Sequence, residues 1–297
     1  MSPLRLKHAA LASLLTAGAL ALTACGSDAP AAASTGSSDD PIRIGVVTAA
    51  EDYWDTFTDL AAAEGISVEF VNFTDYQLPN QALTDGELDL NQFQHLLFLA
   101  QYNAKADGDL VAIASTAVYP LGIYSTEHAT IEEIPDGGEV AIPNDATNQA
   151  RALLVLQEAG LIELAGGGNA FSAPSDVLDS SRVSVTPVDA AQTPLALEDV
   201  DASIINNDFV GKAGLSADDA LFSDDPESDA AAPYINIWAA RAGDADNPTF
   251  AKLAEIYHDA TVEAGVQEVA GGTAAFLDKA PAALADILTG LQTDIDG

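Results

Sequence analysis

One basic residue stands out by its placement. Arg151 closes the stretch Ala141-Ile-Pro-Asn-Asp-Ala-Thr-Asn-Gln-Ala-Arg151. The stretch reads as the end of a buried strand at 140–142, a polar turn, and a helix from about residue 147. A cation so near a helix N-terminus faces the positive end of the macrodipole, which disfavours it. The chain carries only 10 Lys and Arg against 46 Asp and Glu, so a guanidinium here needs an explanation. Asn148, three residues earlier, shares its helix face. Two readings follow. In one, Arg151 forks onto a ligand carboxylate and Asn148 orients the ligand. In the other, Arg151 makes an internal salt bridge to one of the many acids.

Other chemistries find little support. Cys25 is the lone cysteine, so no intrachain disulfide, catalytic thiol or thiolate metal site is expected in the folded part. Four histidines, one of them His8 near the start, show no paired spacing, so no metal and no cofactor are expected. His128 and His258 read as isolated surface residues. The acidic run Ser223-Asp-Asp-Pro-Glu-Ser-Asp229 lacks the glycine and terminal glutamate of a calcium loop. No Gly-x-Ser-x-Gly elbow, phosphate loop or nucleophile–base spacing occurs, so the chain is not expected to be an enzyme. The formal charge of -36 argues against nucleic acid and against multiply anionic ligands. A net-neutral zwitterion or a cation is easier to admit.

The N-terminus has its own logic. Arg5, Lys7 and His8 precede an apolar stretch at 9–22, shorter than the roughly 20 residues of a spanning helix. It ends in Leu22-Thr23-Ala24-Cys25-Gly26, which resembles a bacterial lipobox: cleavage after residue 24 and lipidation of Cys25. Residues 26–40 have no large apolar side chain and read as a flexible tether spanning on the order of 20 Å.

The elements that would position Arg151 come in two series. Runs at 42–47, 66–73, 88–91 and 110–114 read as strands, with helices at 51–64, 79–84 and 95–106 between them. A second series follows an extended segment at 117–124. It has strands at 139–142, 183–188 and 202–206, helices at 147–160 and near 193–198, and a further strand at 235–240. Helices at 249–264 and 281–291 close the chain. Such alternation predicts parallel sheets faced by helices, in two α/β lobes with a cleft at the strand ends. Polar or aromatic clusters fall there: Phe73-Thr-Asp-Tyr76, Asn91-Gln-Phe-Gln-His95, residues 144–151, and Asn206-Asn207-Asp208.

At these residues the chain resembles a known family, the methionine-binding lipoproteins of ABC importers (the NlpA/MetQ-like group). The resemblance rests on Asn72-Phe-Thr-Asp-Tyr76 with Leu78-Pro-Asn80, Asp85-Gly-Glu-Leu-Asp89, and Asn91-Gln-Phe-Gln-His95. It continues through Ala141-Ile-Pro-Asn-Asp-Ala-Thr-Asn148 with Arg151, Leu153-Leu-Val-Leu-Gln-Glu-Ala-Gly-Leu-Ile162, Ile204-Ile-Asn206 and Pro233-Tyr-Ile-Asn236. The stretches fall in the family's order across about residues 42–241.

The resemblance implies an α/β, two-lobed, periplasmic-binding-protein-like (Venus flytrap) fold with two crossover hinge segments, near 119–124 and 235–238. It implies residues 1–24 as signal, 25–40 as lipidated Cys25 and tether, 41–119 plus 237–297 as one lobe and 120–236 as the other. It implies a lipid-anchored monomer on the outer face of the cell membrane that captures methionine and passes it to an ABC permease with its ATPase. The same fold tuned to another apolar amino acid or a short peptide is the alternative. Carried over, Arg151 binds the ligand carboxylate, Asn206 and Asn236 hold the head group with Asn148 nearby, and Tyr76, Phe93 and His95 wall the side chain. Phe98 stands where the family usually has tyrosine, and Tyr119 opens the first crossing. His95 can also be read as a helix cap, and the aromatics as plain core. The family's glycine-rich opening turn is replaced by Thr48-Ala-Ala-Glu-Asp-Tyr-Trp54, so Glu51 or Trp54 is expected to reach the cleft.

Overall fold

A computed structural model describes residues 33–296, which belong to one compact unit. The leader and Cys25 lie outside the described residues. Among the described residues no helix is long and apolar enough to cross a membrane.

The chain begins with β1 (Ile42–Val46), α1 (Tyr53–Ala63), β2 (Val68–Asn72), α2 (Pro79–Thr84), β3 (Leu90–His95), α3 (Leu96–Ala106) and β4 (Val111–Ser115). Ile42, Ile44 and Val46, alternate positions on one face of β1, are fully buried, as β-branched residues facing a core should be. Pro79 at the first position starts α2 without losing a helical bond. Residues 34–40, read from sequence as the end of the tether, instead form a turn docked on this half. The Ser34 amide donates to Asp89, and the Ser67 amide donates to the Gly36 carbonyl.

The chain then crosses through β5 (Ala117–Val118) and β6 (Gly122–Tyr124). It continues with β7 (Glu139–Pro143), α4 (Ala146–Glu158), β8 (Ser184–Val188), α5 (Thr193–Ala196), β9 (Ala202–Ile205), α6 (Asn207–Val210) and β10 (Phe222–Ser223). It returns as β11 (Asn236–Ala240) and ends in α7 (Pro248–Tyr257), α8 (Ala260–Val269), β12 (Ala275–Phe276) and α9 (Pro281–Asp296).

Two five-stranded sheets result, ordered β2-β1-β3-β11-β4 and β10-β6-β9-β7-β8, and the fold is a two-lobed α/β fold. The sheets are mixed, not parallel as the alternation predicts. β11 is antiparallel to both β3 and β4, and β6 is antiparallel to β9 and β10. These strands are reached by extended crossings between the sheets, and such a crossing imposes no parallel return.

Each sheet has its own core. Trp54, Phe57, Trp238 and Tyr257 pack on one face of the first, with Phe57 and Trp238 stacked at 5.8 Å. Leu97 and Leu99 of α3 meet Leu284 and Leu288 of α9 in a second cluster of that lobe, so the long C-terminus is part of its core. Val140, Ile142, Leu153, Leu156 and Ile204 fill the second lobe. A further cluster joins Tyr76 and Phe93 from one side to Tyr124, Ile205 and Phe209 from the other.

Three local expectations are corrected. Trp54 is 2 % exposed inside the aromatic core, not in the cleft, and its indole donates to Thr48. The helix expected over 249–264 is two: α7 ends at Tyr257 with His258 as its C-cap, and Asp259 caps α8 by accepting from the Thr261 amide. Apolar spacing runs unbroken across the join, so periodicity alone does not reveal it. Asn91 to His95 do not follow a strand but are the strand, buried at every position.

Candidate functional site

The nine residues singled out from sequence line one narrow cavity, of about 40 Å³: Tyr76, Phe93, His95, Phe98, Tyr119, Asn148, Arg151, Asn206 and Asn236. They come from β3, α3, α4, β11 and the segments after β2, β5 and β9.

The orientation of its polar atoms can be derived from one carboxylate. Asp145 caps α4, accepting from the Asn148 amide at 2.9 Å and from Thr147 Oγ1 at 3.0 Å. The Asn148 side-chain Nδ2 also donates to Asp145. Asn148 Oδ1 is thereby turned away, and it accepts from Asn206 Nδ2 at 2.9 Å. Asn206 must then present its own Oδ1 elsewhere. That oxygen is buried and has no hydrogen-bond partner. Burying an acceptor unpaired is costly, so it calls for a donor from a ligand.

His95 is oriented with equal economy. Its Nδ1 accepts from the Phe98 backbone N–H at 3.1 Å, capping α3 as one reading of the sequence anticipates. A neutral imidazole that accepts at Nδ1 carries its proton at Nε2. Nε2 is buried without a partner. Burial foremost, and then the nearby Arg151 charge, push the ring's pKa down to about 3, against a smaller opposing effect of Asn148. His95 is therefore a neutral donor, not a pH switch. In a 15N-labelled sample, its ring is expected to stay the neutral Nε2–H tautomer down to about pH 4. A titration midpoint near the unperturbed value would show that Nδ1 is not held.

Arg151 realises the internal salt bridge. Nε and Nη2 donate to the two oxygens of Asp224 at 2.7 and 3.1 Å, and Nη2 also donates to the Tyr119 carbonyl at 2.8 Å. The guanidinium lies 4.3 Å from the Tyr234 ring centre. The bidentate fork expected for a ligand is thus occupied by Asp224. Nη1 makes no hydrogen bond among the described residues and is not sealed off, so it keeps access to the cavity that Arg151 lines. The two sequence readings are compatible: one side of the guanidinium is anchored and the other is available.

The aromatic wall is compact. Tyr76 lies 5.9 Å from Phe93, 6.2 Å from Phe98 and 5.0 Å from Phe209, centre to centre. Tyr76 and Phe93 are 7 % and 6 % exposed, so they serve the core and the cavity together. Tyr119 contributes its carbonyl to Arg151. Asn236 Nδ2 makes only a long 3.4 Å contact to the Tyr234 carbonyl.

A model of the NlpA lipoprotein family matches residues 42–276. The chain belongs to the NlpA lipoprotein family. It is 38% identical over 237 residues to a probable D-methionine-binding lipoprotein MetQ of Haemophilus influenzae, covering 78% of this chain and 84% of that one. It resembles the crystal structure of the substrate-binding protein of a methionine transporter from Streptococcus pneumoniae, with TM-score 0.73 and 36% identity over 80% of this chain and 95% of that one. It also resembles a nutrient-binding protein from Burkholderia cenocepacia bound to methionine, with TM-score 0.72 and 32% identity over 79% and 99%.

The cavity also has lining residues to which the sequence reading gave no role, three of them within the clusters it placed at the cleft. Gln94, Pro120, Leu121, Asn207 and Asp208 share the lining. Gln94 belongs to a buried amide network with Asn80 and Asn91 that backs β3. Asp208 accepts from the Tyr76 hydroxyl at 2.8 Å, a bond between the two lobes. Its signal was its place two residues after Asn206, hidden by the abundance of acids. A larger cavity of about 630 Å³, open to solvent, adjoins the first and shares Phe93, Tyr119, Asn207, Asp208 and Asn236 with it. Glu51 lines this outer space.

Two histidines read as isolated are paired. His258 lies 2.7 Å from Glu263 and 2.9 Å from the Ser115 carbonyl. His128 lies 3.1 Å from Asp201, with Glu127 close by. The Asp201 carboxylate is engaged by the Glu139 amide and His128.

Proposed function

We propose that the chain is the extracytoplasmic, lipid-anchored solute-binding protein of an ABC importer, and that it captures methionine between its lobes for delivery to the permease. The observation that carries this reading is the sorting of unpartnered groups in one cavity. Arg151 Nη1 and His95 Nε2–H are donors for a carboxylate. Asn206 Oδ1 is an acceptor for an ammonium. Tyr76, Phe93 and Phe98 offer ring faces and edges for a thioether, worth about 0.3–1.5 kcal/mol per sulfur–aromatic contact. A free amino acid with an apolar, polarizable side chain matches all three.

The lobes are residues 41–119 plus 237–297 and residues 120–236, hinged near 119–124 and 235–238. Ligand contacts from both lobes select the closed form. Cys25 carries the lipid, the protein is a monomer without a cofactor, and its partners are a permease and its ATPase. No step of catalysis is assigned to it. The match of the family model and the methionine-binding relatives support this assignment, and the acidic charge supports a net-neutral cargo.

A second reading, a short peptide or another apolar amino acid, is favoured by the open outer cavity and by Phe98, which offers no hydroxyl. Native mass spectrometry and calorimetry of the full chain in detergent separate the two. Methionine is expected to bind more tightly than leucine, phenylalanine or dipeptides. A dipeptide that outcompetes methionine would replace the first reading by the second.

A further inference from the structure

The charges lining the cavity do not balance. Arg151 is neutralised by its own pair with Asp224. Asp208 forms no salt bridge among the described residues. The nearby cation, Lys212, instead places its ammonium 4.3 Å from the centre of the Phe209 ring. Tyr76 donates to Oδ2 of Asp208 at 2.8 Å, and the only other hydrogen-bonding group acting on the carboxylate among the described residues is the neutral Asn207 side chain. A partly buried carboxylate without a paired cation is costly. The unsatisfied Asn206 Oδ1 stands two residues away in sequence and lines the same cavity. Two acceptors thus come from one strand end, whereas the free donors, Arg151 Nη1 and His95 Nε2–H, come from α4 and the β3–α3 junction.

We propose that Asp208 is the seat of the ligand's ammonium group and restricts the site to molecules with a free, protonated amine. This rests on the amino-acid reading of the same cavity and names its specificity-determining residue. N-acylated relatives, which lose the charge and keep only one N–H, would leave the Asp208 charge without a counter-ion and be rejected.

A proton competes for the same carboxylate. Burial is the main cause that pushes the Asp208 pKa up to about 6, with Glu51 adding to it and Tyr76, Lys212 and Asn207 opposing it. The groups around it are Glu51 from the turn before α1, Tyr76 after β2, Lys212 after α6, and the hydroxyls of Tyr53, Tyr119 and Tyr257, on which the Asp208 charge acts. An ammonium against the carboxylate favours its ionised form. Affinity is therefore full above the ligand-free pKa and falls as pH drops through it, with proton release on binding in that range.

The test is calorimetry on the full chain in detergent with methionine, N-acetylmethionine and 4-(methylsulfanyl)butanoate, which lacks the amine. Wild type is expected to prefer methionine by about 100-fold over either analogue, and Asp208→Asn to lose about tenfold or more for methionine only. The methionine affinity of wild type is expected to fall by up to about tenfold per pH unit below the Asp208 pKa, and that of Asp208→Asn to stay flat. Titration of wild type near pH 6 in two buffers of different ionisation enthalpy reads the released proton without any variant. Equal binding of the analogues, equal losses for all three ligands in Asp208→Asn, or no proton release overturns the ammonium seat. If methionine still binds, the transport reading survives. If wild type binds no amino acid, both fall together.

Discussion

Arg151→Ala is expected to weaken methionine binding by about 100-fold or more and to lower the melting temperature of the ligand-free protein. The binding loss has two sources. A charge-assisted hydrogen bond from Nη1 is worth about 1.5–3 kcal/mol, or about 10- to 150-fold. Removing the guanidinium also leaves the Asp224 charge beside the ligand carboxylate without its counter-ion. The stability loss follows from the same orphaned group. Breaking a buried pair costs about 3–5 kcal/mol. The Asp224 side chain is 20% exposed and keeps the Leu121 amide at 2.8 Å, so the lower end applies. At about 2–4 °C per kcal/mol for a chain of this size, that is a fall of roughly 6–12 °C. Asp224→Asn separates binding from stability. It removes the internal anchor but leaves the cation, so methionine affinity is expected to stay within about tenfold of wild type. Calorimetry alongside thermal melts checks both variants. If Arg151→Ala binds methionine within a few-fold of wild type, Arg151 has only its internal bridge.

Asp89→Ala has a comparable expected cost in stability and none of the effect on ligand. Asp89 is fully buried at the entry to β3. Its oxygens accept from the Ser34 amide at 2.9 Å, the Arg43 amide at 2.8 Å and Arg43 Nε at 3.4 Å, and Arg241 Nη2 lies 3.7 Å away. Arg241 is itself 8% exposed and keeps only Asp244 and the Leu83 and Leu88 carbonyls when Asp89 is gone. The loss of a buried partner by two cations costs about 3–5 kcal/mol, which is roughly 6–20 °C in melting temperature. Residues 34–40 would lose one of their two ties to the body. Asp89 is not in the cavity lining, so the folded variant should bind methionine as wild type does. A melt within about 2 °C of wild type would refute this account of the pair network.

Much of the site is legible in the sequence, for a physical reason. Ligand groups cluster at strand ends, and the strand ends are marked by abrupt changes from apolar runs to amides and aromatics, as at Asn206 and Tyr76. The resemblance carried by those stretches then sorts them by role. The division into two βα series is likewise written in the alternation of apolar runs. What stays hidden depends on partners far apart in the chain. The engagement of Arg151 by Asp224, 73 residues on, cannot be read from either local stretch. Asp208 is one acid among 46, and that no salt bridge reaches it among the described residues is a fact of three dimensions. The antiparallel strands escape because strand direction is set by the route between the sheets. Trp54 follows an atypical turn, yet its place was decided by Phe57, Trp238 and Tyr257, two of them almost 200 residues away.

The position of β11 inside the first sheet, between β3 and the edge strand β4, has a consequence for how the molecule is made. β3 and β4 do not touch as strands; each pairs with β11 between them. A chain made from its N-terminus therefore presents β1 to β4 with a vacant slot, and the strand that fills it emerges only after the whole second lobe. The intervening lobe is a continuous insertion and has its own core. It can fold while the first waits, so the half that is begun first is finished last.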